Sequence, residues 1–423
     1  MILYKGQIYK TEQNAQLLER LCGDVDETLI SKSIDKEKLI AAADTISKKL
    51  KNGEYDQLIN GIDGVEDHID RAVQMLKRDN LLLNLKASLP ALTELPEIDQ
   101  YVAPVGVLFH IAAGNIDVLP AYSVLCGLLC GNVNVLKLPS QDNGATVKIL
   151  SELINIMPEL ADFIYVFDTP SSDVGSMLKM AEAADKVVVW GGDEAVTAVR
   201  RMLPANIGIV EWGHRISFAY IGADYNRYPE KLAGLAEHII KSSQLFCSSC
   251  QRIYIDSENE DDAVRFCADF LPYLQAAREK RPLKDIGAAA EATLYKYAEG
   301  IEKLICDEYK KEKKFTGDGC SLTVKTDKEL HISGFFGSCD VSALPLDGLF
   351  AVLRRKKGYL QTACIIADEA TAAKAEKIMV SAGVNRITAP DKMSDAFIGE
   401  AHDGVPELYN YVRIINKCKE VKK

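Results

Sequence analysis

The 423-residue sequence lacks every short motif by which nucleotide or metal binding is ordinarily recognised. It has no Gly-x-Gly-x-x-Gly, P-loop, His-Glu-x-x-His or EF-hand pattern, so neither phosphate cradling nor metal chemistry follows from those signatures. The six histidines are too dispersed to suggest a metal cluster. Positive charge is also short: 50 Lys and Arg against 61 Asp and Glu leave a net charge of −11, with no electrostatic footprint for nucleic acid. No apolar signal segment follows Met-Ile-Leu-Tyr-Lys, and no repeat or low-complexity linker is present. The 11 cysteines, odd in number and scattered from Cys22 to Cys418 without framework spacing, read as reduced thiols and predict a cytoplasmic protein. One uncharged run, the 19 residues Val118 to Leu136, approaches a membrane-spanning length. Its Pro120, Gly127, Gly131, Asn132 and Asn134 predict a buried helix, a Gly-Asn turn and a buried strand instead.

What is present is ordinary globular composition, 48% hydrophobic and 26% charged, in a chain long enough for two or three domains. The first hundred residues read as mainly helical: Asp35 precedes Leu39, Ala42, Ala43, Ile46 and Leu50 at helical spacing, and Ile69, Val73 and Leu76 mark another helix. From Tyr101 onward short β-rich runs (Val105–Ile111, Val133–Leu138, Phe163–Phe167, Lys186–Trp190, Gly208–Glu211) alternate with helical segments. Strands apolar on both faces and interleaved with helices predict a doubly wound α/β domain with a parallel sheet. A second α/β domain is expected over 213–385. The tail, 386–423, would return to the first domain or to a partner subunit.

One segment stands out chemically, Ser242-Ser243-Gln244-Leu245-Phe246-Cys247-Ser248-Ser249-Cys250-Gln251-Arg252, between an expected helix and an expected strand. Cys247-x-x-Cys250 admits three readings. A thioredoxin-type pair should open a helix after a strand, the reverse of the order here, and a zinc half-site needs a second ligand pair that is not evident. The third reading is a thiol nucleophile in a polar loop, and two inert cysteines remain the plain alternative.

Residues Val105-Gly106-Val107-Leu108-Phe109-His110-Ile111-Ala112-Ala113-Gly114-Asn115, Gly131 to Ser140, Val189-Trp190-Gly191-Gly192, Glu211-Trp212-Gly213 and the cysteine loop resemble, in order, the aldehyde dehydrogenase superfamily. Gly114-Asn115, the Cys-Ser-Ser run before Gln251, and a tail with Ala401-His402-Asp403-Gly404 are most similar to the long-chain acyl-CoA reductases of bacterial bioluminescence. The resemblance implies two Rossmann-like domains with the active site at their junction: 1–212 for an N-terminal helical segment and the cofactor, 213–385 for the thiol.

It also implies roles. Cys247, five residues before Arg252 as in the family loop, matches the nucleophile. Asn115 matches the oxyanion-hole amide, a donor type worth about 2.7 to 4 kcal/mol in the transition state. Lys137 matches the lysine at the adenosine ribose. Ser140 stands where NAD-preferring relatives carry Glu, which favours NADP(H) over NAD(H), and Gly191 and Gly192 match the turn facing pyrophosphate. Glu211 matches the glutamate that activates water, but Glu211-Trp212-Gly213-His214-Arg215 departs from the usual Glu-Leu-Gly-Gly-Lys. His214 admits two readings, a base or a strand-edge residue, of which the second is favoured, and Arg354-Arg355-Lys356-Lys357 reads as a solvated helix end rather than a contact for CoA or cofactor phosphates. The implied activity is NAD(P)H-dependent reduction of acyl-CoA to aldehyde through a thioacyl-cysteine, without a metal, in a self-associating protein that is not inserted in a membrane. Two alternatives remain: a dehydrogenase of free aldehydes or acyl phosphates, and a non-redox acyl carrier.

Overall fold

The chain forms two largely parallel sheets, and in the first, runs of four or five mostly apolar residues rich in Val and Ile make the inner strands. The computed structural model describes residues 1–59, 68–113, 118–140, 142–283, 312–395 and 397–419, with single positions between 287 and 301. The sequence also predicts a long helical stretch from about Glu291 to Lys311, which lies outside the described residues apart from those single positions. The chain divides into two compact units. One comprises Met1–Ile62, Asp67–Gly213 and Phe397–Lys423, and the other is built on His214–Ala396.

The strands of the first unit are β1 (Ile2–Tyr4), β2 (Gln7–Tyr9), β3 (Ile98–Pro104), β4 (Val107–Ile111), β5 (Val133–Lys137), β6 (Ile164–Phe167), β7 (Lys186–Trp190) and β8 (Gly208–Trp212). Its helices are α1 (Asn14–Ser31), α2 (Lys36–Lys51), α3 (His68–Leu76), α4 (Arg78–Ser88), α5 (Leu119–Leu129), α6 (Ala145–Ile156), α7 (Val174–Glu182) and α8 (Asp193–Met202). The sheet order is β2-β1-β6-β5-β4-β7-β8, parallel from β6 to β8. The chain runs outward from β4 to β6 and then returns to lay β7 on the other side of β4. Such an order reversal leaves a crevice at the strands' carboxyl ends, where open α/β sheets bind ligands. Asp35 caps α2, its carboxylate accepting from the Glu37 and Lys38 N–H groups. The uncharged run at Val118–Leu136 holds α5 and β5, and no described helix is long and apolar enough to cross a membrane.

The second unit has β9 (Ile216–Ile221), β10 (Cys250–Ile255), β11 (Lys313–Gly317), β12 (Cys320–Val324), β13 (Ser338–Ala343), β14 (Leu360–Ile366) and β15 (Arg386–Thr388), in the order β11-β12-β13-β10-β9-β14-β15. Only the edge strand β11 is antiparallel to its neighbour. Its helices are α9 (Pro229–Lys241), α10 (Glu260–Lys280), α11 (Leu346–Arg354) and α12 (Glu369–Ala382). Arg386–Thr388, grouped with the tail in the sequence reading, is the outer strand of this sheet. The return to the first unit begins at Phe397, and β16 (Val412–Cys418) pairs antiparallel with β3.

Strands β13 and β1 are among the elements that escape a reading of the sequence. Strand β13, Ser-Cys-Asp-Val-Ser-Ala, has one β-branched apolar residue, yet β12 and β10 pair with both its edges. The first strand is three residues long, too short for periodicity to show, and it joins the sheet through Leu3 opposite Val166.

Candidate active site

The cysteine loop leaves α9 and turns into β10 at the amino end of the second sheet. Ser243 and Gln244 adopt φ of 46° and 61°, a left-handed conformation that non-glycine residues hold only when their surroundings enforce it. Buried amides supply that constraint. The Gln244 side-chain amide donates to the Cys250 carbonyl (3.0 Å) and to Ser333 Oγ (2.8 Å), and its Oε1 accepts from the Gly337 N–H (3.1 Å). The Gln251 amide closes the loop by donating to the Gln244 carbonyl at 2.7 Å.

Within this frame the two cysteines differ completely. Cys250 is fully buried, burial pushes its thiol far above the ordinary range, and its N–H donates to His238 Nε2 at 3.1 Å. Cys247 is exposed. Ser217 Oγ donates to the Cys247 carbonyl at 2.7 Å and accepts from the Thr362 N–H at 3.0 Å. Gln361, next to Thr362 on β14, donates its side-chain amide to Cys247 Sγ at 3.3 Å. Arg252 is fully buried, with its guanidinium on Asp327 Oδ1 (3.0 Å), the Asp327 and Glu329 carbonyls and Ser342 Oγ. Its charge anchors the loop that follows β12.

In the first unit, Lys137 ends β5, and its ammonium donates to Ser171 Oγ at 2.8 Å. Burial pulls its pKa down from the ordinary lysine value, against the pull of nearby Asp168. Ser140 is exposed in the loop that follows. Gly191 and Gly192 link β7 to α8. Neither has positive φ, so backbone conformation does not demand glycine at either position, and a Cβ on Gly192 would meet nothing within 4 Å. A desolvated ammonium and an open, side-chain-free helix start fit the ribose and pyrophosphate of a dinucleotide. Asp193 and Glu194 in the first turn of α8 are the charges that such phosphates would have to be held against. Glu211, on β8, gives both carboxylate oxygens to the Arg200 guanidinium of α8. The hydrogen bond to Glu211 raises the Arg200 pKa.

A chain of hydrogen bonds links β5, β4, α5 and β7. Asn134 Nδ2 donates to the Asn132 carbonyl at 2.8 Å, so its Oδ1 faces His110 Nε2 at 3.0 Å and assigns the proton to that nitrogen. His110 Nδ1 then accepts from the Ser123 hydroxyl (2.8 Å), whose oxygen accepts from Trp190 Nε1 at 3.1 Å. Burial pushes the His110 pKa down to about 4. Gly127 is required beside this chain, because a Cβ there would lie 1.8 Å from Asn134 Oδ1. The returning tail sets the His402 ring 4.8 Å from Trp212 and 5.6 Å from Trp190, one position from Glu211 and Gly191 respectively. Among the described residues no group of His, Cys, Asp or Glu is placed to hold a metal.

The family model for acyl-CoA reductase (LuxC) matches residues 32–414. The chain belongs to the LuxC family. It is 24% identical over 238 residues to the long-chain acyl-protein thioester reductase of Photobacterium phosphoreum, covering 51% of this chain and 49% of that protein. It is 28% identical over 170 residues to the long-chain acyl-protein thioester reductase of Aliivibrio fischeri, covering 39% and 35%. The chain's matches thus span about half the length of these curated relatives, or less. Among solved structures, methylmalonate-semialdehyde dehydrogenase from Oceanimonas doudoroffii superposes with a TM-score of 0.73 at 14% identity, covering 100% of this chain and 98% of that one. Betaine aldehyde dehydrogenase from Staphylococcus aureus, solved with NAD⁺, gives 0.69 at 14% identity (96% and 88%). Glyceraldehyde-3-phosphate dehydrogenase from Methanocaldococcus jannaschii, complexed with NADP, gives 0.70 at 12% (98% and 96%). This LuxC chain therefore has the aldehyde dehydrogenase fold.

Of the residues singled out in this LuxC sequence, Lys137, Ser140, Gly191, Gly192 and Glu211 lie in the first unit, Cys247 lies in the second, and Asn115 lies outside the described residues. His214 lies two residues before β9, with its ring 6.2 Å from that of Tyr359. Lys356 pairs with Glu329 at 2.8 Å at the end of the basic run. Gln361, Ser217, Arg200 and His402 are contacts that sequence reading missed. The one local signal among them is Gln361, an uncharged polar residue at the head of an apolar strand.

Proposed function

We propose that the chain reduces acyl thioesters, acyl-CoA among them, to aldehydes with NAD(P)H through a thioacyl intermediate on Cys247. The observation that carries this reading is the contrast inside the loop: Cys247 is exposed and held at both its carbonyl and its sulfur, whereas Cys250 is sealed and its thiol is kept protonated by burial. The family match over 32–414 supports it.

The Cys247 thiolate adds to the thioester carbonyl, the tetrahedral alkoxide collapses, and the substrate's thiol departs as its thiolate. Exchanging one sulfur for another is nearly thermoneutral, so the acyl group stays activated. The bound reduced nicotinamide supplies the hydride that brings the acyl carbon to the aldehyde level. Collapse then returns the electron pair to Cys247 Sγ. Asn115 and the Cys247 N–H are the donors assigned to the oxygen in both collapses. Lys137 and the open turn at Gly192 hold the dinucleotide, and Ser140, uncharged, leaves room for a 2′-phosphate. The enzyme is expected to self-associate and to work in the cytoplasm.

The experiment supplies purified protein with acyl-CoA, or with the same acyl group on a carrier-protein thiol, plus NADPH or NADH. Aldehyde formed in step with cofactor oxidation supports the reading, and the preferred thioester identifies the donor. Cofactor-independent acid release, or acyl transfer without oxidation of the cofactor, overturns it in favour of a hydrolase or an acyl carrier.

A further inference from the structure

A polar contact on Cys247 Sγ comes from a residue 114 positions away, the Gln361 side-chain amide at 3.3 Å. Gln361 is itself almost fully buried at the head of β14, so its amide is not free to sample solvent. Its neighbour Thr362 holds Ser217, which holds the Cys247 carbonyl, so two consecutive residues of β14 fix both ends of the cysteine. An amide N–H aimed at sulfur stabilises the thiolate over the thiol.

We infer that Gln361 is a further catalytic residue, the donor that stabilises the Cys247 thiolate when it attacks and again when it leaves. The inference rests on Cys247 being the nucleophile. Several other ionisable groups on the elements around the loop are committed elsewhere. Tyr220 on β9 and Cys364 on β14 are raised by burial. Arg252 on β10 is turned to Asp327, and His238 on α9 accepts from the Cys250 N–H. Arg215, ahead of β9, donates to the His214 carbonyl.

Magnitudes decide whether such a bond helps. Lowering a thiol's pKa by about one unit raises its thiolate fraction up to about tenfold at pH values well below that pKa, but makes the thiolate itself only about threefold less nucleophilic. The net gain in acylation is about threefold. The return step gains without offset, because a less basic thiolate leaves faster. In that step the alkoxide pair re-forms the carbonyl, the C–S bond breaks, and sulfur keeps its electrons against the Gln361 N–H. No further reactant is needed.

The test reads the thiol directly. Full-length protein is alkylated with iodoacetamide across a pH series, and labelling of the Cys247 peptide is followed by mass spectrometry. Gln361→Met keeps the volume and removes the donor, and Gln361→Glu keeps the shape but sets an anion beside the sulfur. The labelling midpoint is expected to rise by about one pH unit in Gln361→Met and by at least as much in Gln361→Glu. Acyl-CoA acylation at neutral pH should fall about threefold in Gln361→Met. Midpoints unchanged in folded variants overturn the inference. Full reductase activity in Cys247→Ser would instead overturn the assignment of the nucleophile, a separate result, because the alkylation series needs no turnover.

Discussion

Arg200, on α8, grips both carboxylate oxygens of Glu211 on β8, the strand that follows that helix. A carboxylate engaged at both oxygens is poorly placed to take a proton from water, and an acyl-enzyme consumed by hydride has little use for such a base. Glu211→Gln is therefore expected to lower acyl-CoA reduction by less than about tenfold, against the ~10²- to 10⁴-fold loss of an essential general base. Aldehyde formation and NADPH-independent thioester hydrolysis are measured side by side. A thousandfold collapse of reduction in a folded variant would make Glu211 an obligatory base.

The burial contrast between Cys247 and Cys250 predicts which sulfur carries the acyl group. After incubation with acyl-CoA, mass spectrometry should find the thioester on the Cys247 peptide in wild type and in Cys250→Ser, and nowhere in Cys247→Ser. A label that survives Cys247→Ser and disappears in Cys250→Ser reverses the assignment.

Ser140 sets no carboxylate near Lys137, so NADPH should be used at least as well as NADH. Ser140→Glu should shift the preference toward NADH by repelling the 2′-phosphate. The check is kcat/KM for both cofactors in both proteins, and strong wild-type selectivity for NADH contradicts it.

His110 predicts a pH dependence of stability. Its pKa lies at about 4 in the folded chain against an ordinary value of 6.5, because burial disfavours the imidazolium. Below pH 6.5 the unfolded chain binds the extra proton, so this contribution is complete above pH 6.5 and is lost as pH falls toward 4. The loss approaches about 3 kcal/mol. The Tm of the wild type should therefore drop more steeply than that of His110→Gln between these pH values, whatever the carboxylates contribute to both. Parallel Tm curves would refute the assignment.

Much of the fold was legible because strand and helix signals are local. Lys186–Trp190 has the bounds its pattern predicted, and the strands expected at Val133–Leu138, Phe163–Phe167 and Gly208–Glu211 each differ by one residue at one end. The misses share a cause: Ser338–Ala343 is a strand because β12 and β10 pair with it, and no property of its six residues says so.

The same division holds at the site. The sequence by itself determined that a thiol-bearing polar loop lies between a helix and a strand, that glycines follow Trp190, and that a set of short motifs resembles those of the LuxC family. These are matters of residue type and short spacing. Only the tertiary structure decided that Cys250 is sealed while Cys247 is open, that Arg200 occupies Glu211, that His402 returns to Trp212, and that Gln361 reaches the sulfur. Burial and hydrogen-bond partnership depend on which distant segments the sheet order brings side by side, and Gln361 stands 114 residues from the cysteine it touches.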